Sequence, residues 1–226
     1  MSLRVAGLCR HDHRGRMLIT NQWDGGQPPR FYLARTREGN VWRVRADVPD
    51  AVARALSTLA ADEPPLRDPA ERPLHEARYV DLLCTGRSAA RTESGPVYWF
   101  ASAVVPAAQP VTIDAANAHL LHGGLEDWLP DVPHRRPMVA MVEDGRAVSV
   151  CASVRITEQT HEAGVETLAA CRGRGHAVNA VAGWAQQVRQ RGVDKIFYST
   201  SWSNRASQGV ADRLGLAMLG TDFSVD

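Results

Sequence analysis

The sequence predicts a mixed α/β fold. Three observations carry this. Two apolar arms at 137–156 flank Glu143-Asp144-Gly145, and Asp-Gly is a hairpin turn signal. A helical run at 176–191 repeats Val178, Val181, Ala182, Ala185 and Val188, and Gly192 stands at its C-terminal cap. Strand-like runs lie on both sides of that helix. The second half reads hairpin, strand, helix, strand, helix, strand, which is the pattern of a mixed sheet.

Taken in order, GRMLITNQW and FYLARTREGNVWRVRADV read as antiparallel strands, with a turn at Glu38-Gly39-Asn40. A short helix is expected from about Asp50 to Ala61, with Val52, Leu56 and Leu59 on one face. ADEPPLRDPAERP (61–73) is rich in proline and charge and reads as a linker or long loop. VYWFASAVV (97–105) reads as a strand, and AANAHLLHGGLEDWL (115–129) as short helices broken at Gly123-Gly124. The strand HEAGVETLA (161–169) precedes the helix. KIFYSTSW (195–202) is a strand, NRASQGVADRLG (204–215) a short helix, and LAMLGTDFSVD one or two closing strands. The expected division is an N-terminal α/β domain over 1–105 and a second domain over 106–226.

The bulk numbers exclude several classes. A chain of 226 residues can bury a sizeable core. A net charge of +1 gives no global reason to bind nucleic acid or an anionic membrane. Lys195 is the only lysine, so arginine abundance is a compositional bias before it is chemistry. Cys9, Cys84, Cys151 and Cys171 form no CxxC pair, no apolar run is long enough to span a bilayer, and the N-terminus is interrupted by charges. A reduced, cytoplasmic setting is expected. Cys9, His11 and His13 fall short of the four ligands of a structural zinc site, so no metal is expected.

ACRGRGHAVNAV (170–181) carries the chemistry. Its turn joins a strand to a helix N-terminus, where the first N–H groups lack partners and the dipole favours an anion. Glycines let a backbone approach a ligand closely, and a phosphate is a natural guest. A P-loop needs Gly-Lys-Ser/Thr, and this turn has Gly175-His176-Ala177. A dinucleotide fingerprint needs a glycine where Val178 stands. An RNA-binding patch needs repeats and interleaved aromatics, which are missing. A tight surface turn with solvated arginines is the plain alternative.

The pattern Arg172-Gly173-Arg174-Gly175-His176-Ala177 resembles the Arg/Gln-x-x-Gly-x-Gly/Ala loop of the GNAT superfamily of acetyl-coenzyme-A-dependent N-acetyltransferases. The preceding GVETLAACRGRG resembles that family's fourth strand. YSTSWSNRASQGVADRLGL resembles its fifth strand and fourth helix, with Asn204, Ser207 and Leu214-Gly215-Leu216 in register. The resemblance covers about residues 110 to 226. Residues 1–105 then read as an appended α/β segment or a diverged GNAT-like domain.

The resemblance implies acetyl-CoA as co-substrate. Its pyrophosphate would lie on the backbone of Arg172, Gly173, Arg174, Gly175, His176 and Ala177. Its pantetheine would pair against Val165, Thr167 and Leu168, with Val165 N–H as an oxyanion donor. Asn204 and Ser207 would complete the cofactor site, although Asn204 also suits an N-cap. Amine acetylation needs a base. The resemblance points to His161, which strand alternation places on one face with Ala163, Val165 and Thr167. Glu162 and Glu166 share the other face, and Glu166 is the second candidate. The family's tyrosine acid is replaced by Ala211, which leaves water, Tyr198 or Ser207. Trp202 and Trp128, with Glu126 and Asp127 nearby, are candidates for the acceptor side. The expected reaction is transfer of acetyl to a primary amine of a small molecule, with neither nucleic acid nor membrane as partner. The competing expectation is an acyl-CoA-binding module without catalysis.

Overall fold

A computed structural model describes residues 1–84 and 91–226. Along the chain run α1 (Ser2–Leu8), β1 (Cys9–His11), β2 (Met17–Thr20), β3 (Phe31–Thr36), β4 (Gly39–Val44), α2 (Asp50–Asp62), α3 (Glu76–Cys84) and β5 (Thr92–Trp99). There follow β6 (Val111–Thr112), β7 (Met138–Glu143), β8 (Arg146–Ile156), β9 (Thr160–Thr167), α4 (His176–Gln190), β10 (Lys195–Ser199), α5 (Arg205–Arg213) and β11 (Ala217–Val225). Short 3₁₀ turns occupy Ala118–Leu121, Glu126–Asp131 and Ala169–Cys171. These elements form two compact units. One holds Met1–Val97, Ser199–Asn204 and Met218–Asp226; the other holds Tyr98–Tyr198 and Arg205–Ala217.

In the N-terminal unit the strand order is β4-β3-β11-β5. β3 is buried at every position because both of its faces are covered. Phe31 and Leu33 pack with Leu56 of α2, Tyr79 and Leu83 of α3, and Phe223 of β11. Tyr32 and Ala34 pack on the opposite side with Val5, Leu8 and Met17. Two-sided burial explains why FYLA reads as a continuous apolar run. The proline-rich stretch after α2 is a pinned loop. Buried Glu63 accepts from Leu74 N–H (2.5 Å), His75 N–H (3.2 Å) and Tyr79 Oη (3.0 Å), with Arg35 Nε 3.7 Å away.

In the C-terminal unit the order is β10-β9-β8-β7-β6, with β9–β10 parallel and the other pairs antiparallel. The hairpin turn puts Asp144 (φ 49°) and Gly145 (φ 77°) in left-handed backbone, as a two-residue hairpin turn demands. One sheet face packs Val139, Cys151, Ala163, Ile196 and Tyr198 against Val181, Trp184, Ala185 and Val188 of α4. The other packs Met138, Ala140, Val150 and Ala152 against Leu121, Leu125, Trp128 and Val132.

Several elements differ from expectation. The strand expected at 97–105 is β5, which starts at Thr92 and stops at Trp99. Gly95-Pro96 looks like a terminator in the sequence. Here the missing side chain of Gly95 admits the Thr200 carbonyl, which would lie 1.7 Å from a Cβ. The helices expected at 115–129 are short 3₁₀ segments, Ala118–Leu121 and Glu126–Asp131, with Gly123 and Gly124 at positive φ between them and Pro130 inside the second. The closing segment is one strand, β11. Helices α1 and α3 and the two-residue β6 are additional to the elements expected.

Candidate active site

The site forms where β9 leaves its neighbour. β9 and β10 pair at Thr160–Lys195, His161–Ile196 and Glu162–Phe197. β9 then runs on to Thr167. Its other edge stays paired to β8, and the bond from Leu168 N–H to Val148 O (3.0 Å) sets the phase of that ladder. Bonded and non-bonded pairs alternate in an antiparallel ladder. Gly164 and Glu166 therefore turn their backbone groups to β8, and Ala163, Val165 and Thr167 turn theirs into the gap left by β10. Thr167 O already accepts from Arg172 Nε (3.2 Å).

Beyond β9 the chain makes one 3₁₀ turn and enters α4 through the glycine loop. Gly173 (φ 79°) and Gly175 (φ 86°) are both left-handed, and no side chain caps the helix. The N-terminal N–H groups of this 15-residue helix thus remain available to an anion. The arginine side chains turn elsewhere. Arg174 reaches Ala170 O (3.3 Å) and approaches Glu143 Oε2 (3.6 Å), while His176 Nε2 lies 3.2 Å from Glu143 Oε1. Glu143, at the end of β7, thereby ties the loop to the hairpin. Its role was invisible in sequence because the two segments are far apart in the chain.

The two candidate bases occupy different environments. Alternation does put His161, Ala163, Val165 and Thr167 on one face, but that face is the one under α4. His161 is 7% exposed. Its Nδ1 is 2.7 Å from Ser153 Oγ, which accepts from Trp184 Nε1 (3.0 Å). Burial, with Arg191 adding to it, lowers its pKa to about 4. In this structure His161 closes a buried hydrogen-bond chain beneath α4. Ser153 and Trp184 gave no sequence signal for that chain, since the contact depends on how α4 lies on the sheet.

Glu166 lies on the opposite face and is exposed. Trp128 Nε1 donates to its Oε2 at 2.6 Å. The Arg135 guanidinium sits 5.6 Å from the centroid of the Trp128 ring and pairs with Asp131 (3.0 Å). Trp128 is therefore a bridge between the sheet and the 3₁₀ turns. Glu126 turns back on its own loop and accepts from Gly123 and Gly124 N–H (2.6 and 2.9 Å), which lowers its pKa.

The remaining expected residues separate. Ser207, on α5, has its Oγ 2.6 Å from Tyr198 Oη. Tyr198 is 1% exposed, and burial raises its pKa to about 12. Ala211 is wholly buried in the core. Leu168 packs between the two cores beside Gly124. Asn204 and Trp202 fall in the N-terminal unit, with Asn204 N–H bonded to Ser201 O (3.1 Å). Among the described residues no His, Cys, Asp and Glu group is arranged to hold a metal, and no helix is long and apolar enough to cross a membrane.

A family model described as the acetyltransferase (GNAT) family matches residues 107–216. Solved structures share the fold. A GNAT-family acetyltransferase from Novosphingobium aromaticivorans has 15% identity and a TM-score of 0.50 over 60% of this chain and 64% of its own. One from Colwellia psychrerythraea has 11% identity and a TM-score of 0.50, covering 82% of this chain and 75% of that one. A Drosophila protein has 13% identity and a TM-score of 0.54, covering 88% and 75%. This chain thus spans just under two thirds of the Novosphingobium protein, and no curated protein matches it. The family match falls on the segment whose strands part beside the glycine turn, and residues 107–216 are an acetyltransferase domain of the GNAT family.

Proposed function

We propose that this domain transfers an acetyl group from acetyl-CoA to the amine of a small-molecule acceptor, with Glu166 as the base. The observation that carries the proposal is the exposed Glu166 carboxylate, aimed by Trp128 and set between the open-edge residues Val165 and Thr167. When bound, acetyl-CoA supplies a thioester-activated acyl group. The N–H groups of Gly173 to Ala177 fit its pyrophosphate, with Arg172 N–H turned to Ala169 O (3.4 Å), and the outward backbone of Val165 and Thr167, with Leu168 alongside, fits its peptide-like arm. The outward N–H of Val165 supports it as the donor to an oxygen that gains negative charge. An amine attacks only when neutral, so a proton must be taken up. Trp128 holds Glu166 Oε2, which leaves Oε1 to accept it. Ser207 and Asn204 remain proposed cofactor contacts on family resemblance alone.

The test is thiol release from acetyl-CoA across a panel of amines. Glu166→Gln is expected to lower kcat by about 10²- to 10⁴-fold with acetyl-CoA binding retained. Unchanged turnover in that variant would sink the assignment. A second reading is a domain that binds acyl-CoA without catalysis. It is favoured by Ala211 in the core and by a Tyr198 hydroxyl already engaged with Ser207. Tight acetyl-CoA binding by the wild type with no thiol release from any amine would select it.

A further inference from the structure

We propose that the N-terminal unit carries a separate site for a small organic anion, at the open edge of β4. A cavity of about 480 Å³ lies there, lined by Arg14, Arg16, Asn40, Trp42, Arg43 and Ser57, among others. That volume suits a small molecule. β4 ends the sheet; Met17 of β2 bridges Arg45 just past its end, and the edge before that, at Trp42, has no strand beside it among the described residues. The ladder phase tells which groups face outward. Arg45 N–H bonds Arg30 O (2.9 Å), and Phe31 pairs with Val44. Tyr32–Arg43 is then a bonded pair, and Trp42 turns its N–H and C=O to the cavity. The Arg43 guanidinium confirms this orientation by donating to Trp42 O (2.7 Å).

Charge selects the ligand. Three guanidiniums share the cavity wall. Arg16 is committed: it donates to Asp50 Oδ1 (2.8 Å), to Arg45 O and to Val48 O. Asp12 is turned into its own loop, accepting from Arg14 and Arg16 N–H (2.8 and 2.9 Å). Arg14 reaches Asp50 only at 3.5 Å, with its side chain 62% exposed. A guanidinium has five N–H donors, and Arg43 uses one of them on Trp42 O. Arg14 and Arg43 thus have donor capacity left, beside an outward Trp42 N–H. Like charges in one cavity repel, and an anion relieves that repulsion while accepting bidentate bonds. Val41, Val44 and Ala53 give the cavity an apolar wall for the ligand's body. The fitting ligand is a carboxylate or phosphate on a small apolar body.

The test is calorimetric titration of the full chain with phenyl phosphate, phenylacetate and neutral benzyl alcohol. At least one anion is expected to bind at least tenfold more tightly than the alcohol, and the stronger of the two names the headgroup. Arg43→Gln should weaken that anion about tenfold or more, the scale of a lost charge-assisted hydrogen bond. Arg14→Gln, at a largely exposed side chain, should weaken it by a smaller factor with an unchanged circular dichroism spectrum. Equal binding of all three probes, or wild-type affinity in both variants, would overturn the proposal.

Discussion

His161 makes a quantitative prediction about stability against pH. Its pKa falls from 6.5 to about 4 on folding, through burial first and Arg191 second. The unfolded chain therefore binds a proton that the folded chain refuses between those two values. Stability from this residue is complete above about pH 6.5 and is lost as pH falls toward 4. The full difference is about 3 kcal/mol, at about 1.4 kcal/mol per pH unit. By pH 5 about 2 kcal/mol of it is gone. That is a large share of the stability of an ordinary domain. The assay is urea unfolding at pH 7.5 and pH 5, for wild type and His161→Gln. The wild type should lose about 2 kcal/mol more than the variant between the two values. Equal losses would show that the imidazole titrates alike in both states, and the buried chain from Trp184 through Ser153 would not hold His161 neutral.

Two other perturbations separate backbone from side chain. A Cβ at Gly175 meets no atom within 4 Å, but Gly175→Val must hold a φ of 86°, so it should cost about 1–2 kcal/mol in backbone strain and at least tenfold in coenzyme A affinity by calorimetry; Arg174→Ala should leave that affinity within a few fold. Glu63→Gln leaves buried Arg35 without its carboxylate and weakens three bonds to the 74–79 segment. It should destabilise the N-terminal unit by about 3–5 kcal/mol, seen as faster hydrogen exchange across α3.

Local chemistry was legible in the sequence wherever one segment suffices to define it. The Asp144-Gly145 hairpin, the β3–β4 pair, the boundaries of α4 and the glycine loop all depend on near neighbours. The weak elements were not legible. β5 runs through Gly95-Pro96 because the Thr200 carbonyl, just past β10, needs that space, and the 3₁₀ turns at 118–131 take their form from glycines, Pro130 and packing against the sheet.

The division between the two candidate bases shows the limit most clearly. Period-two alternation sorted His161 and Glu166 onto opposite faces of β9, because successive side chains in any strand must alternate. Alternation cannot say which face a helix covers. α4 lies on the His161 face, so the imidazole is dry, bonded and weakly basic, while the Glu166 carboxylate reaches solvent beside Trp128. The sequence by itself determined the glycine turn and the helix start that follows it, since left-handed glycines and a helix start are local properties. Only the tertiary structure decided which titratable group meets water, since burial is set by elements distant in the chain.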